Sequence, residues 1–210
     1  MQKLAIIGSG DLGQLIAYHA IHDHHYNVVG FFDDYKVAGT IVNGLPVLGT
    51  LNDLLPYHKA GKFDVLLLAI GYKHFTKRKE CFEMFKEKVP FGKIIHSSVY
   101  VADTAIIGDG TFILPGCILD HNVEIEENVL INTGSCVAHD SKIGSHSFLS
   151  PRVAIAGFVK IGSCCNIGIN TTIIDNITIV DNVQTGGGTV VIKSLQTAGL
   201  YVGNPAKFIR

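Results

Sequence analysis

Tryptophan is absent from the 210 residues, and lysine and glutamate are modest beside the abundant isoleucine, valine and glycine. No apolar window approaches the roughly 20 residues of a membrane-spanning helix, so no membrane partner is expected. There is no positive surplus either. Seventeen Lys and Arg face eighteen Asp and Glu, a net charge of −1, and the electrostatic footprint of nucleic-acid binding is missing. The five cysteines show no CxxC spacing. Their odd number, and an N-terminus that reads as a strand rather than a signal peptide, point to the reducing cytoplasm.

What is present is a period. Every sixth residue from Ile95 to Ile179 is aliphatic, and two positions before each, from Val99 to Ile177, stands a small or β-branched residue. Six suits neither an amphipathic helix nor a hairpin meander, whose periods are about 3.6 and 2. It suits a chain wound into a triangular prism, one hexapeptide per face. The spacing predicts roughly five coils up to about Asn182, a prism about 24 Å tall. Beyond it, Gly186-Gly187-Gly188 and Gly203-Asn204-Pro205 break the pattern and mark a cap over the open end. No hexad carries an insertion.

Residues 1–92 have a different grammar. Strands are expected over Lys3–Gly8, Asn27–Phe32 and Asp64–Ile70, with helices over Asp11–His25 and Lys73–Glu87. This is the βαβ pattern of a small parallel sheet. The fold expected is thus a Rossmann-like domain over 1–92, followed by a parallel β-helix over 93–210. Gly8-Ser9-Gly10-Asp11-Leu12-Gly13 follows a strand and opens a helix, where glycines allow backbone to approach a phosphate. Asp33 lies at the end of the second strand, placed for ribose hydroxyls, and a turn without ligand is the plain alternative. Only half a Rossmann unit precedes the repeats. A nucleotide-linked sugar therefore fits better than a dinucleotide, with its diphosphate on Gly8, Ser9 and Gly10, its ribose or base near Asp33 and Asp34, and Gly71 beside the same crevice.

Most of the ten histidines read as solvated surface. His121 and His139 are eighteen residues apart and should stack on adjacent coils. Gly157 continues their column and leaves room beside His139. Imidazole is the side chain best matched to proton transfer near neutral pH, and Asp140 can orient it if the turn points both side chains outward; a surface histidine without a role is the plain alternative. A metal would need His121, His139 and His146 together, but His146 falls on another part of the turn, so no metal is expected.

The repeats, with Gly203-Asn204-Pro205-Ala206-Lys207 after them, resemble the left-handed β-helix of hexapeptide acyltransferases. A glycine-loop domain ahead of such a helix resembles the sialic acid O-acetyltransferase family that includes UDP-4-amino-sugar N-acetyltransferases. The resemblance implies a left-handed coil, a homotrimer and acetyl-CoA as co-substrate. It implies acetyl transfer to the amino group of a nucleotide-linked amino sugar, a 4-amino-4,6-dideoxy sugar in particular. Val137-Ala138-His139-Asp140-Ser141-Lys142-Ile143-Gly144 matches the family's catalytic segment, with His139 as base, Asp140 raising its basicity and Asn132 near the acceptor. Acetyl-CoA contacts map onto Gly157, Ile169 and Gly187. Phe148 stands where the family often has a histidine touching acetyl-CoA, and Asp11 follows Gly10 where histidine or phenylalanine is common. O-acetylation of sialic acid or a related sugar, a non-catalytic nucleotide-binding trimer and an NAD-linked enzyme are the competing readings.

Overall fold

The apolar run after Gln2 forms strand β1 (Lys3–Ile7), an interior strand of a mainly parallel sheet in the computed structural model, which describes residues 1–210. It is followed by α1 (Asp11–His22), β2 (Asn27–Phe32), β3 (Ile41–Val42), β4 (Leu45–Gly49), α2 (Leu51–Lys59), β5 (Val65–Leu68) and α3 (Phe75–Phe85). The sheet order is β3-β4-β2-β1-β5, and all neighbours are parallel except the β3–β4 hairpin. Leu4, Ile6, Phe31, Phe32, Leu66 and Leu67 are fully buried here, each worth about 1.5–3 kcal/mol against exposure.

The helical spans end earlier than the pattern predicts, at His22 and Phe85. The hairpin and α2 are additions to the expected layout. Asn43 and Gly44 both have positive φ, which makes the tight two-residue turn that matches strand twist. At the start of α2, the Asp53 carboxylate accepts from the Thr50 N–H and hydroxyl, both at 2.8 Å, a capping box that occupies otherwise orphaned donors.

Gly13, on the first turn of α1, packs directly on the glycine loop. A Cβ there would collide with the Gly8 carbonyl oxygen. Backbone is the obstacle, so no side chain can yield. Gly13→Ala should cost about 1–3 kcal/mol, the usual range for overpacking, and appear as a lowered melting temperature by circular dichroism.

Residues Ile95–Arg210 form the second compact unit, after Met1–Ile94, and they coil as a parallel β-helix. Strands eighteen residues apart pair in register, as in Ile118↔Cys136 and Leu119↔Val137. The first face runs from Ile94–Ile95 through Leu130–Ile131, Phe148–Leu149 and Asn166–Ile167. The second contains Ile118–Leu119, Cys136–Val137 and Ala154–Ile155, and the third Glu124–Ile125 and Lys142–Ile143. Leu119, Val137, Ile143, Leu149 and Ile167 are completely buried.

The small positions have their own work. Ser135, Ser141 and Ser147 are buried and donate to the carbonyls of Ser150, Ala156 and Gly162, while accepting from the N–H of Val153, Val159 and Cys165. Each hydroxyl is satisfied inside an apolar prism, where an unpaired one would cost about 1–3 kcal/mol. The buried Cys165 thiol is pushed up to about 12 by desolvation, which keeps it inert.

A second six-residue rhythm lies at the corners. Every sixth residue from Gly110 to Gly188 has positive φ. Glycine, asparagine and aspartate fill most of these sites, as the left-handed conformation favours. His146, Arg152, Phe158 and Cys164 are the four exceptions, and each bears a cost of about 1–2 kcal/mol.

Coiling continues past Asn182, further than the aliphatic period suggests. Val183–Thr185 pairs with the Asn166–Ile167 strand, Val190–Val191 with Thr172–Ile173, and Gly199–Val202 stacks on Val183–Thr185. Gly188 supplies a left-handed corner, so the glycine run turns the coil instead of ending it. Lys207–Phe208 then pairs antiparallel with the last strand and caps the edge.

Candidate functional site

Beside the glycine loop is a cavity of about 450 Å³ lined by Gly8, Asp33, Asp34, Gly71, His74 and Lys77, among others. It opens at the C-terminal ends of β1, β2 and β5, where open parallel sheets bind ligands. Of the loop residues expected there, Ser9 is fully buried and turned inward. Its N–H and hydroxyl donate to one Asp33 oxygen at 2.9 and 2.6 Å, and the Tyr35 N–H donates to the other at 2.9 Å. Burial alone would raise the Asp33 carboxyl, but these hydrogen bonds outweigh it and hold it below the usual aspartate range. Asp33 thus braces the loop as well as facing the cavity. Gly10 is the residue before α1 and has no side chain to cap it. Asp34 accepts from the Leu51 N–H at 2.9 Å. Lys77 brings positive charge to the wall, with the His74 ring beside it. They sit on the amphipathic segment expected after β5, but its periodicity did not say which of its many charges face the crevice.

The second cluster is on the β-helix, at the corner leading from the second face to the third. His139 Nδ1 lies 3.0 Å from Asp140 Oδ2. The Asn122 amide, one coil below, donates to the other Asp140 oxygen at 3.0 Å. Those two contacts, Asn122 first, hold the Asp140 carboxyl below its usual range. The imidazole lies across Gly157, where a Cβ would come within 2.6 Å of Cε1 and 2.8 Å of Nε2. The Phe158 ring stands edge-on to it, with centroids 5.2 Å apart. With Nδ1 engaged and its side chain 48% exposed, His139 presents Nε2 for proton exchange. Asn122 was missed by sequence reasoning, although a column read eighteen residues below Asp140 would have found it.

His121 is in the same column but turns away to Thr104, Nδ1 to hydroxyl 3.0 Å. His146 is buried beside the Asn128 amide. No three His, Cys, Asp or Glu side chains converge as a metal site requires.

The remaining expected residues lie elsewhere on the prism. Asn132 and Ile169 follow first-face strands, at the corner leading to the second face. Gly187 sits one coil above Ile169, whose carbonyl accepts from the Gly188 N–H at 2.8 Å. Phe148 is a buried first-face strand residue. The second face therefore separates Asn132, Ile169 and Gly187 from His139, Asp140 and Gly157 within one chain.

Residues 3–85 match the family model of the PglD N-terminal domain, and residues 104–139 match that of the bacterial transferase hexapeptide, six repeats. The acetyltransferase domain of PglB from Neisseria gonorrhoeae FA1090 superposes with a TM-score of 0.90 at 27% identity, covering all of both chains. PerB from Caulobacter crescentus, solved with CoA and GDP-perosamine, superposes with a TM-score of 0.92 at 26% identity, covering 100% of this chain and 98% of that one. Over 114 residues, 54% of this chain, there is 35% identity to the UDP-3-O-acylglucosamine N-acyltransferase of Bordetella petrii (strain ATCC BAA-461 / DSM 12804 / CCUG 43448). The matched part spans 31% of that protein's length. No helix is long and apolar enough to cross a membrane.

Proposed function

Because the chain belongs to the PglD-like hexapeptide-repeat acetyltransferases, we propose that it moves an acetyl group from acetyl-CoA to the amine of a nucleotide-linked amino sugar. The observation that carries this reading is the His139–Asp140 pair, fixed over Gly157 with one ring nitrogen free. His139 Nε2 takes a proton from the acceptor nitrogen as that nitrogen bonds to the thioester carbon. The carbon–sulfur bond then breaks, the His139 imidazolium returns that proton to the sulfur, and CoA departs as the thiol. Asp140 orients the imidazole through Nδ1, and Asn122 holds Asp140 in place. The cavity of Gly8, Asp33, Asp34 and Gly71 receives the nucleotide, with Lys77 supplying charge and His74 a hydrogen-bonding ring for its diphosphate. The acceptor is a 4-amino-4,6-dideoxy sugar, as the family resemblance implies, and PerB was solved with the nucleotide-linked amino sugar GDP-perosamine.

A homotrimer accounts for the divided site. A triangular prism packs naturally around a threefold axis, and a neighbouring copy brings its Asn132–Ile169–Gly187 corner to the His139 corner of the first. Acetyl-CoA then lies in the groove between copies, with Phe148 near it.

Thiol release from acetyl-CoA, assayed with a panel of nucleotide-linked amino sugars, tests the reading. Turnover is expected with at least one 4-amino sugar and none with its 4-hydroxy counterpart. Turnover on hydroxyl acceptors alone would instead favour O-acetylation. Nucleotide binding without any thiol release would favour a scaffold.

A further inference from the structure

Phe158 occupies a corner that the rest of its column fills with residues suited to positive φ. Asn122, Asp140 and Asn176 stand at the equivalent positions below and above it, and Phe158 itself has φ of 58°. A bulky aromatic in this conformation is a true outlier. It does not repay the strain by filling the core, because it remains 52% exposed. The Phe158 N–H donates to the His139 carbonyl at 3.1 Å, a coil bond that any non-proline residue would make. The ring is the part that calls for an explanation. It meets the His139 imidazole edge-on, at 5.2 Å and 86°, a favoured aromatic geometry.

We propose that Phe158 is a positioning residue for the transfer step, holding the His139 ring flat on Gly157 with Nδ1 toward Asp140. Asp140 holds Nδ1 and Gly157 lies beneath the ring, so a single hydrogen bond is what opposes swinging and flipping of this half-exposed side chain from those two sides. The edge-on phenyl blocks that motion. Strain retained beside a reacting group, where asparagine would be easier, is the pattern expected of functional backbone outliers. The inference rests on the reading of His139 as the base.

The test compares F158N, F158Y and H139A. Asparagine suits the left-handed corner, so F158N should melt about 2–4 °C higher than the wild type. Its kcat should nevertheless fall about three- to tenfold, the worth of one aromatic contact, with KM for acetyl-CoA unchanged. F158Y, which keeps the ring edge, should restore most of the loss. In proton NMR, the His139 Hε1 resonance should move in F158N and stay near its wild-type position in F158Y. Full activity in F158N, an equal loss in F158Y, or a lower melting temperature in F158N would each overturn the proposal. Failure of the underlying reading looks different, because H139A itself would then remain active. An inactive H139A beside a fully active F158N would sink the role of Phe158 alone.

Discussion

Replacing His139 by alanine should lower kcat at least about a hundredfold, the lower end of what a positioned general base contributes. In free-energy terms this is roughly 2.7 kcal/mol of transition-state stabilisation. The imidazole is half exposed and lies outside the prism core, so the melting temperature should stay close to the wild type. KM for acetyl-CoA should change little, since a group acting only in the transition state lowers kcat without weakening ground-state binding. Steady-state thiol release at saturating acceptor, with a melt on the same preparation, measures both. A kcat within a few fold of the wild type would remove His139 from the base role. It would also leave the contacts from Asn122 through Asp140 to the ring without a catalytic purpose. Loss of stability together with rate would point to a structural histidine.

The β-helix was legible because its core repeats strictly. An aliphatic side chain every sixth residue fills the prism, and no insertion obscured the count. The left-handed corners were equally periodic, but their residues are mixed. Gly110, Asn122 and Asp140 look like ordinary turn residues, and His146, Arg152, Phe158 and Cys164 hide the rhythm. The coils after Asn182 break the aliphatic period because Thr185 stands six residues after Ile179, although Val183, Val191 and Leu195 still fill the prism core. In the first unit, β4 carries Pro46 and α2 carries Pro56, which weaken both patterns. The Asn43-Gly44 turn and the Thr50–Asp53 box were nonetheless readable signals.

The site was legible in part, for a geometric reason. Column reading with a step of eighteen brought His139 to Gly157, and adjacency brought Asp140 to His139. That same step reaches Asn122 from Asp140. It does not reveal which way a side chain turns, and here the ring of His121 goes to Thr104 while that of His139 goes to Asp140. Asp33 shows a related limit. A carboxylate at the end of β2 is placed for a ribose, yet Ser9 and Tyr35 already occupy its oxygens. Position follows from spacing, whereas hydrogen-bond allegiance follows from the packed structure.

Gly157→Ala should separate stability from activity. Gly157 does not have the left-handed backbone that excludes side chains, so alanine can adopt its conformation. Losing a glycine's freedom in the unfolded chain favours folding by about 0.4–1 kcal/mol. The added methyl would meet His139 at 2.6 Å from Cε1, 2.8 Å from Nε2 and 3.1 Å from Nδ1. Those atoms belong to a half-exposed side chain, which can swing outward at little cost to the fold. The contrast with Gly13, where the obstacle is backbone, is direct. Swinging the ring takes Nδ1 off Asp140 and moves Nε2 by an ångström or more. A misplacement of that size costs on the order of a hundredfold in rate. G157A is therefore expected to melt at or slightly above the wild-type temperature while losing turnover nearly as H139A does. The double variant should be no slower than H139A alone, because both changes remove the same positioned imidazole. A fully active G157A would mean that the transferring rotamer is not the one lying across Gly157, and the Phe158 contact would lose its meaning with it.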